Sequence, residues 1–178
     1  TIWRRPMQQV ILHNREGLDA ARDTGDINYA VYHIQSLIFT MLAAGNPLDA
    51  VAEECGRFYD FVDQSRDIGA LSYLVSVKQF IRCLKGETTH VHSLDDEGFS
   101  EIRHIQNMKL PIIRCRHHLL KLRLHFIMGD YDGALQEAGQ CGALRHFHLG
   151  TVIVPEYYFY HGLALAAAFP SAPAFRKN

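Results

Sequence analysis

The chain has 178 residues, of which 18 are Lys or Arg and 19 are Asp or Glu, so its formal charge is −1 at pH 7. Its length fits one ordinary domain, and 48% hydrophobic residues can supply a normal apolar core. The near-neutral balance excludes binding of nucleic acid or anionic lipid by bulk charge. We expect a single domain over residues 1–178.

Apolar residues recur at three-, four- and seven-residue spacings along most of the chain, which indicates amphipathic helices. Helices are predicted from Pro6 to Gly25, Asp26 to Ala44, Asn46-Pro47 to Val62, Asp67 to Leu84, Pro111 to Met128, Tyr131 to Cys141 and Pro155 to Phe169. A long loop over residues 86–109 is expected to carry a short helix near residues 99–105. Only Gly150 to Val154 is compatible with a short extended segment, so the predicted class is all-α.

Three turns share one pattern, in which a glycine is followed directly by Asp or Asn, and an Ala stands four positions after the Asp or Asn. They are Gly25-Asp26-x-x-x-Ala30, Gly45-Asn46-x-x-x-Ala50 and Gly129-Asp130-x-x-x-Ala134. The glycine permits a positive φ, the Asp or Asn caps the next helix, and the small Ala allows close helix packing. The pattern is typical of tetratricopeptide arrays, although the strict period of about 34 residues is not met. We predict antiparallel helical hairpins in a degenerate tetratricopeptide-like array, with the three alanines buried.

The chain carries no sign of export or membrane insertion. The uncharged stretch Ile27 to Leu48 contains too many polar residues for a membrane span, and no signal peptide precedes it. The cysteines form no CxxC pair; they are Cys55, Cys83, Cys115 and Cys141. A disulfide is left open, but free buried thiols in a reducing cytoplasm are favoured.

Eleven histidines raise the question of a metal site. Only the loop pair His90 and His92 is spaced to chelate easily, with Asp95 or Asp96 as a further ligand. Because there is no Cys partner and no HExxH arrangement, we expect neither a metal nor another cofactor.

The segment from Lys109 to Met128 contains no acidic residue. Five of its basic side chains share one helical face: Arg114, His117, His118, Lys121 and His125. This face is either solvated or docks an anion or an acidic partner, in which case Arg114, His118, Lys121 and His125 are the docking residues. Arg116 and Arg123 fall within the apolar arc, where they must pair with carboxylates or extend to its edge.

No catalytic motif is found. The phosphate-binding loops and the GxSxG elbow are missing, and the adjacent carboxylates Glu53-Glu54 diverge on a helix. The aromatic run from Tyr157 to Tyr160 lacks the interleaved basic residues of a nucleic-acid platform, so we interpret it as packing. We therefore expect no enzymatic activity.

Several segments in order carry a resemblance to a known family. They are Trp3-x-x-Pro6, Gly25-Asp26-x-x-Tyr29-Ala30, Leu42-x-x-Gly45-x-Pro47-Leu48, Leu84-x-Gly86-x-Thr88 followed by Phe99, Met128-Gly129-Asp130-Tyr131-x-x-Ala134-Leu135, and Tyr158-Phe159-Tyr160-x-x-Leu163-Ala164-Leu165. Together they resemble the tetratricopeptide-like region of large bacterial sensor histidine kinases, which also carry a protein-kinase-like domain, an AAA-type ATPase and a GAF sensor. The resemblance implies a fragment of a larger two-component signalling protein, with no catalytic residue carried over.

Two functions follow as expectations. The first is a cytoplasmic, non-catalytic scaffold that acts through protein contacts with adjacent domains or a signalling partner. The second is a small-molecule or metal sensor that uses the concave side of the array and the histidine-rich loop. The final helix is expected to expose an apolar side that self-associates, docks a partner or is covered by the tail; the residues are Leu163, Leu165, Ala166, Ala167, Phe169 and Phe175.

Overall fold

The computed structural model describes residues 6–169, and the regular secondary structure of these residues is helical. The elements are α1 (Met7–Asp23), α2 (Ile27–Ala43), α3 (Leu48–Gln64), α4 (Ile68–Leu84), α5 (Glu101–Asn107), α6 (Pro111–Ile127), α7 (Tyr131–Leu144), a 3₁₀ helix η1 (Arg145–His148) and α8 (Ile153–Ala168). No strand occurs among the described residues, where one isolated antiparallel bridge joins Asp96 and Phe99. The predicted all-α class is confirmed.

The chain divides into two compact units, residues 1–81 and residues 82–178, with the boundary inside α4. In the N-terminal unit α1 packs against α2, and α2 packs against α3. The side chains of Ile34, Leu37 and Ile38 on α2 are fully buried. A helix that is apolar on most sides must be covered on most sides, which explains its central place in this unit. The single domain expected over the whole chain stays a prediction.

The predicted turn chemistry is present at two of the three turns. Gly25, Gly45 and Gly129 all have a positive φ, between 72° and 81°. Asp26 then accepts a hydrogen bond from the Tyr29 backbone N–H, and Asp130 accepts one from Gly133. These two aspartates cap α2 and α7 as expected.

The third turn differs, because Asn46 does not cap α3. Pro47 occupies the N-cap position and α3 begins at Leu48, so Asn46 lies one residue too early to reach the free N–H groups of the first turn. Its Oδ1 atom is buried and has no hydrogen-bond partner among the described residues. The prediction of an Asn46 cap was therefore wrong.

The same shift changes which residue is buried after the turn. Ala30 and Ala134 are the fourth residues of α2 and α7, and both are fully buried, as predicted. Ala50 is only the third residue of α3 and is half-buried, contrary to the prediction. The fourth residue of α3 is Val51, which is fully buried. Successive residues turn by about 100° around a helix, so a one-residue shift moves Ala50 off the packed face.

In the C-terminal unit α6 packs against both α7 and α8, α7 packs against α8, and η1 contacts all three. The apolar residues Leu119, Leu122 and Leu124 of α6 are buried here. Ala138 of α7 and Ala164 of α8 are fully buried, and such small residues permit close approach of helices.

The helix boundaries of this unit differ slightly from expectation. α7 continues to Leu144 and leads into η1, within the segment expected to be a loop, and α8 begins at Ile153. Pro155 therefore lies in the first turn of α8, where its missing N–H leaves no helical hydrogen bond unmade. Of the helices within residues 6–169, none has the length and apolar character that a membrane crossing requires.

Candidate functional site

A histidine and carboxylate cluster lies where α6 ends and α7 begins. Pro111 starts α6, and Gly129 ends it with a φ of 81°, so that His125 in the last turn lies close to Asp130 at the cap of α7. His125 Nδ1 is 2.7 Å from Asp130 Oδ2. The other oxygen, Oδ1, accepts the capping hydrogen bond from the Gly133 N–H at 3.0 Å. One oxygen of the Asp130 carboxylate therefore caps α7, and the other contacts His125.

The loop between α4 and α5 adds His92 to this pair. His92 Nδ1 lies 3.7 Å from Asp130 Oδ2, and the His92 and His125 rings stack with their centroids 5.1 Å apart. One potential ligand atom from each of His92, His125 and Asp130 lies within 4.8 Å of the other two. We call these three residues the His-His-Asp cluster.

Charge and hydrogen bonding define the protonation of Asp130. The backbone hydrogen bond from Gly133 and the hydrogen bond from His125 hold the pKa of this carboxyl below its usual range. Because donors to a carboxylate favour its ionised form, Asp130 is negatively charged near neutral pH. The cluster therefore contains one anion that lies beside the Nδ1 atoms of two imidazole rings.

Lys121 fixes the backbone of the loop at His92. Its Nζ donates to the His92 carbonyl oxygen at 2.5 Å and to Glu101 Oε2 at 3.1 Å. His92 has a φ of 71°, a left-handed conformation that is uncommon for a residue other than glycine. His92 Nε2 is a buried atom with no hydrogen-bond partner among the described residues.

Glu101 connects the loop to α6. Its Oε1 lies 3.2 Å from His117 Nε2, and its Oε2 also accepts a hydrogen bond from the Leu94 N–H. Burial alone would raise the pKa of Glu101, but hydrogen bonding to His117 and the charge of Lys121 outweigh burial and lower the pKa to about 2. Glu101 is thus an anion that compensates the buried Lys121.

The predicted docking face on α6 is not a solvated surface. Lys121 and His118 are buried, and His118 Nδ1 lies 2.7 Å from Glu137 Oε2. His125 is half-buried against Asp130, so only Arg114 of the four predicted docking residues is exposed. The expectation of an open basic face is corrected, because carboxylates of this unit already pair with three of the four predicted docking residues.

The predicted His90 and His92 pair is separated in the structure. His90 is exposed, whereas His92 joins the His-His-Asp cluster. Asp95 accepts a hydrogen bond from the Glu101 N–H, and Asp96 forms a salt bridge with Arg82. The partners of His92 are instead two residues that sequence reasoning placed elsewhere: His125 on the docking face and Asp130 as a helix cap. No spacing motif connects them to His92.

A cavity of about 570 Å³ lies beside the same loop. Its walls include Cys83, Gly86, Thr89, His90, Val91 and Met128. Its walls combine backbone, hydroxyl and apolar groups, and Lys85 adds a charged one.

Of the two arginines predicted to lie in the apolar arc of α6, Arg116 is half-buried and Arg123 is buried. Arg123 Nη1 pairs with Glu156 Oε1 at 2.7 Å, and its guanidinium lies 5.3 Å from the centre of the Tyr160 ring. Burial raises the pKa of Glu156, and the Arg123 charge opposes that effect. The predicted pairing of Arg123 with a carboxylate is confirmed.

One more histidine of this unit, His148, has a structural partner. His148 Nε2 lies 2.9 Å from the Ile112 carbonyl oxygen, and burial lowers its pKa to about 4, so it donates as a neutral ring. All four cysteines are free and buried. The nearest pair is Cys115 and Cys141, whose Sγ atoms are 3.6 Å apart.

The outer face of α8 is apolar and exposed. Tyr158, Phe159, Leu165 and Phe169 are each between 51% and 60% exposed. Leu163 and Ala166 lie on the same arc and are also exposed, whereas Ala167 is half-buried. The arc contains no charged residue.

The aromatic run from Tyr157 to Tyr160 was expected to pack inside the protein. Tyr157 is buried, but Tyr158 and Phe159 are exposed and so depart from that expectation. Phe175 lies outside the described residues.

Comparisons with protein-family models, with curated proteins and with solved structures give no match for this chain.

Proposed function

We propose that this chain is a non-catalytic helical scaffold that acts through protein contacts. The observation that carries the proposal is the uncharged, exposed face of α8, where Tyr158, Phe159, Leu165 and Phe169 expose half or more of their surface. Monomeric proteins rarely leave a contiguous apolar surface of this kind open to water. An interaction surface accounts for it directly.

The repeated turns support the finer proposal of a degenerate tetratricopeptide-like array of antiparallel hairpins. Gly25 and Gly129 each end one helix, and Asp26 and Asp130 cap the next. Repeat units bury apolar surface mainly against their neighbours, so a unit without an outer neighbour or a capping helix exposes such a surface.

By its resemblance in sequence, we propose a cytoplasmic location in a larger sensor kinase or ATPase-containing signalling regulator. The four free, buried cysteines agree with a reducing compartment. Partners would be adjacent domains of the parent, a signalling protein or a second copy of this chain.

The test commits to self-association through α8. Light scattering over a concentration series should detect a dimer, and Phe159→Ser combined with Leu165→Ser should weaken it. Tyr32→Ser is the matched control, because Tyr32 is 61% exposed and lies on α2 in the other unit. If the wild type stays monomeric at all concentrations, self-association through α8 is contradicted. Nucleotide turnover that is lost on mutation of a residue in this chain would contradict the non-catalytic role.

A metal-sensing or small-molecule-sensing domain is the second candidate function. The His-His-Asp cluster and the cavity next to His90 favour it. A thermal-shift screen with metals and nucleotides separates the two candidates, because a ligand that binds only the native state raises the melting temperature.

A further inference from the structure

The His-His-Asp cluster combines donors from two separate segments of the C-terminal unit. His92 belongs to the loop before α5, whereas His125 and Asp130 flank the turn between α6 and α7. Imidazole nitrogen and carboxylate oxygen are common protein ligands of divalent first-row transition metals. The cluster thus has the donor chemistry of a metal site.

The spacing of the donor atoms suits such an ion. A tetrahedral Zn²⁺ ion with bonds near 2.0–2.1 Å separates its ligand atoms by about 3.3 Å. The distances here are 2.7 Å from His125 Nδ1 to Asp130 Oδ2 and 3.7 Å from His92 Nδ1 to the same oxygen. To reach that spacing the first distance must lengthen by about 0.6 Å and the second must shorten by about 0.4 Å. The ligand atoms of His92 and His125 lie within 4.8 Å of each other.

We propose that His92, His125 and Asp130 bind one divalent transition-metal ion, with Zn²⁺ as the probe. Three protein ligands leave a fourth position for water or for a donor from a partner. The ion would take the place of the hydrogen bond between His125 Nδ1 and Asp130 Oδ2, and a His125 ring bound through Nδ1 would carry its proton on Nε2.

Groups around the cluster hold the ligands in place. Asp130 Oδ1 is engaged by the Gly133 N–H, which leaves Oδ2 toward the two histidines. Lys121 holds the His92 backbone through its carbonyl oxygen, and Glu101 balances the lysine charge. Such supporting contacts orient metal ligands and tune affinity.

A metal here would tie the histidine-rich loop to the α6–α7 turn. The loop before α5 has no regular secondary structure of its own between Leu84 and Glu101. A bond from His92 to an ion that is also held by His125 and Asp130 would restrict it. The metal is therefore a structural clamp, and its occupancy would control the position of the loop. This inference does not depend on the proposed scaffold role.

The test uses the untagged protein, treated with a chelator and then dialysed. Zn²⁺ titration by calorimetry should give one ion per chain, and Co²⁺ should give the visible absorption of a four-coordinate site. Asp130→Asn is the main variant, because Asn also caps helices and preserves the fold while removing the charge. This variant and His92→Ala should each weaken Zn²⁺ binding by about tenfold or more.

His90→Ala is the matched control, since His90 belongs to the same loop, is exposed and is not a member of the cluster. It should bind Zn²⁺ as the wild type does. Absence of saturable Zn²⁺ binding in the wild type would overturn the proposal. Zn²⁺ affinity equal to that of the wild type in both Asp130→Asn and His92→Ala, with circular dichroism confirming that both variants are folded, would also overturn it.

Discussion

Replacing Ala134 by Leu tests whether the small residue after the turn is required for helix packing. Ala134 is the fourth residue of α7, is fully buried, and lies in a unit where α7 packs on α6 and α8. Ala30 holds the same position in α2 of the other unit. Ala50 follows the same sequence pattern but is half-buried, so it provides an internal control.

The expected magnitude follows from the lack of free space. Leu adds three carbon atoms at a site with no exposed surface, and overpacking of this kind costs about 1–3 kcal/mol. Ala and Leu have similar helix propensities, so the change in the free energy of unfolding reports packing. For a chain of this length each kcal/mol corresponds to roughly 2–4 °C in melting temperature. Ala50→Leu should change stability by no more than about 0.5 kcal/mol.

Urea unfolding followed by circular dichroism measures all three variants under identical conditions. Ala30→Leu and Ala134→Leu should each lower the unfolding midpoint, and Ala50→Leu should leave it nearly unchanged. Equal effects at Ala50 and Ala134 would refute the argument that the one-residue shift at Pro47 moves Ala50 off the packed face. An unchanged midpoint for Ala134→Leu would show that the small residue is incidental.

Three further predictions concern the ion pairs and turns. Arg123→Met should destabilise the protein by about 3–5 kcal/mol at neutral pH in urea unfolding, because Glu156 would stay buried without its cation, and acidification should recover part of the loss. Gly129→Ala should cost about 1 kcal/mol through its φ of 81° alone, whereas Gly139→Ala, inside α7, should stabilise by about 0.5–1 kcal/mol in the same assay. The pKa of Glu101 falls from 4.5 to about 2 on folding, so its ionised form stabilises the protein above pH 4.5 and that stabilisation is lost as the pH falls towards 2; Glu101→Gln should flatten the pH dependence of the urea midpoint over this range.

The helices of this chain were predictable because strong local signals separate them. Glycines with a positive φ end α1, α2 and α6, and Asp26 and Asp130 cap the helices that follow. These interactions involve residues within a few positions of one another, so the local sequence is enough to predict them. The error at Asn46 arose because the pattern Gly-Asn resembles Gly-Asp, while Pro47 shifts the helix start by one residue.

The candidate site could not be predicted in the same way. His92 and Asp130 meet only because a loop without regular structure returns to the α6–α7 turn, and local periodicity has no information on such a return. The sequence offered His90 and His92 as neighbours, but the structure exposes one and turns the other towards His125. Side chains that converge from distant segments are determined by tertiary packing, and no spacing rule anticipates them.

The basic character of α6 is explained by the carboxylates that other segments bring to it. The pairs are His117 and Lys121 with Glu101, His118 with Glu137, Arg123 with Glu156, and His125 with Asp130. The acidic partners come from α5, α7, α8 and the α6–α7 turn. A helix with cations and no anions cannot satisfy them internally, and burying an unpaired charge is costly, so each neighbour must dock where its carboxylate meets a cation. The sequence left open whether this basic face is solvated or docks an anion, and the pairs show that its charges instead specify the internal arrangement of this unit. Arg114, the exposed member of the four predicted docking residues, is the one that this pairing leaves for contacts outside the unit.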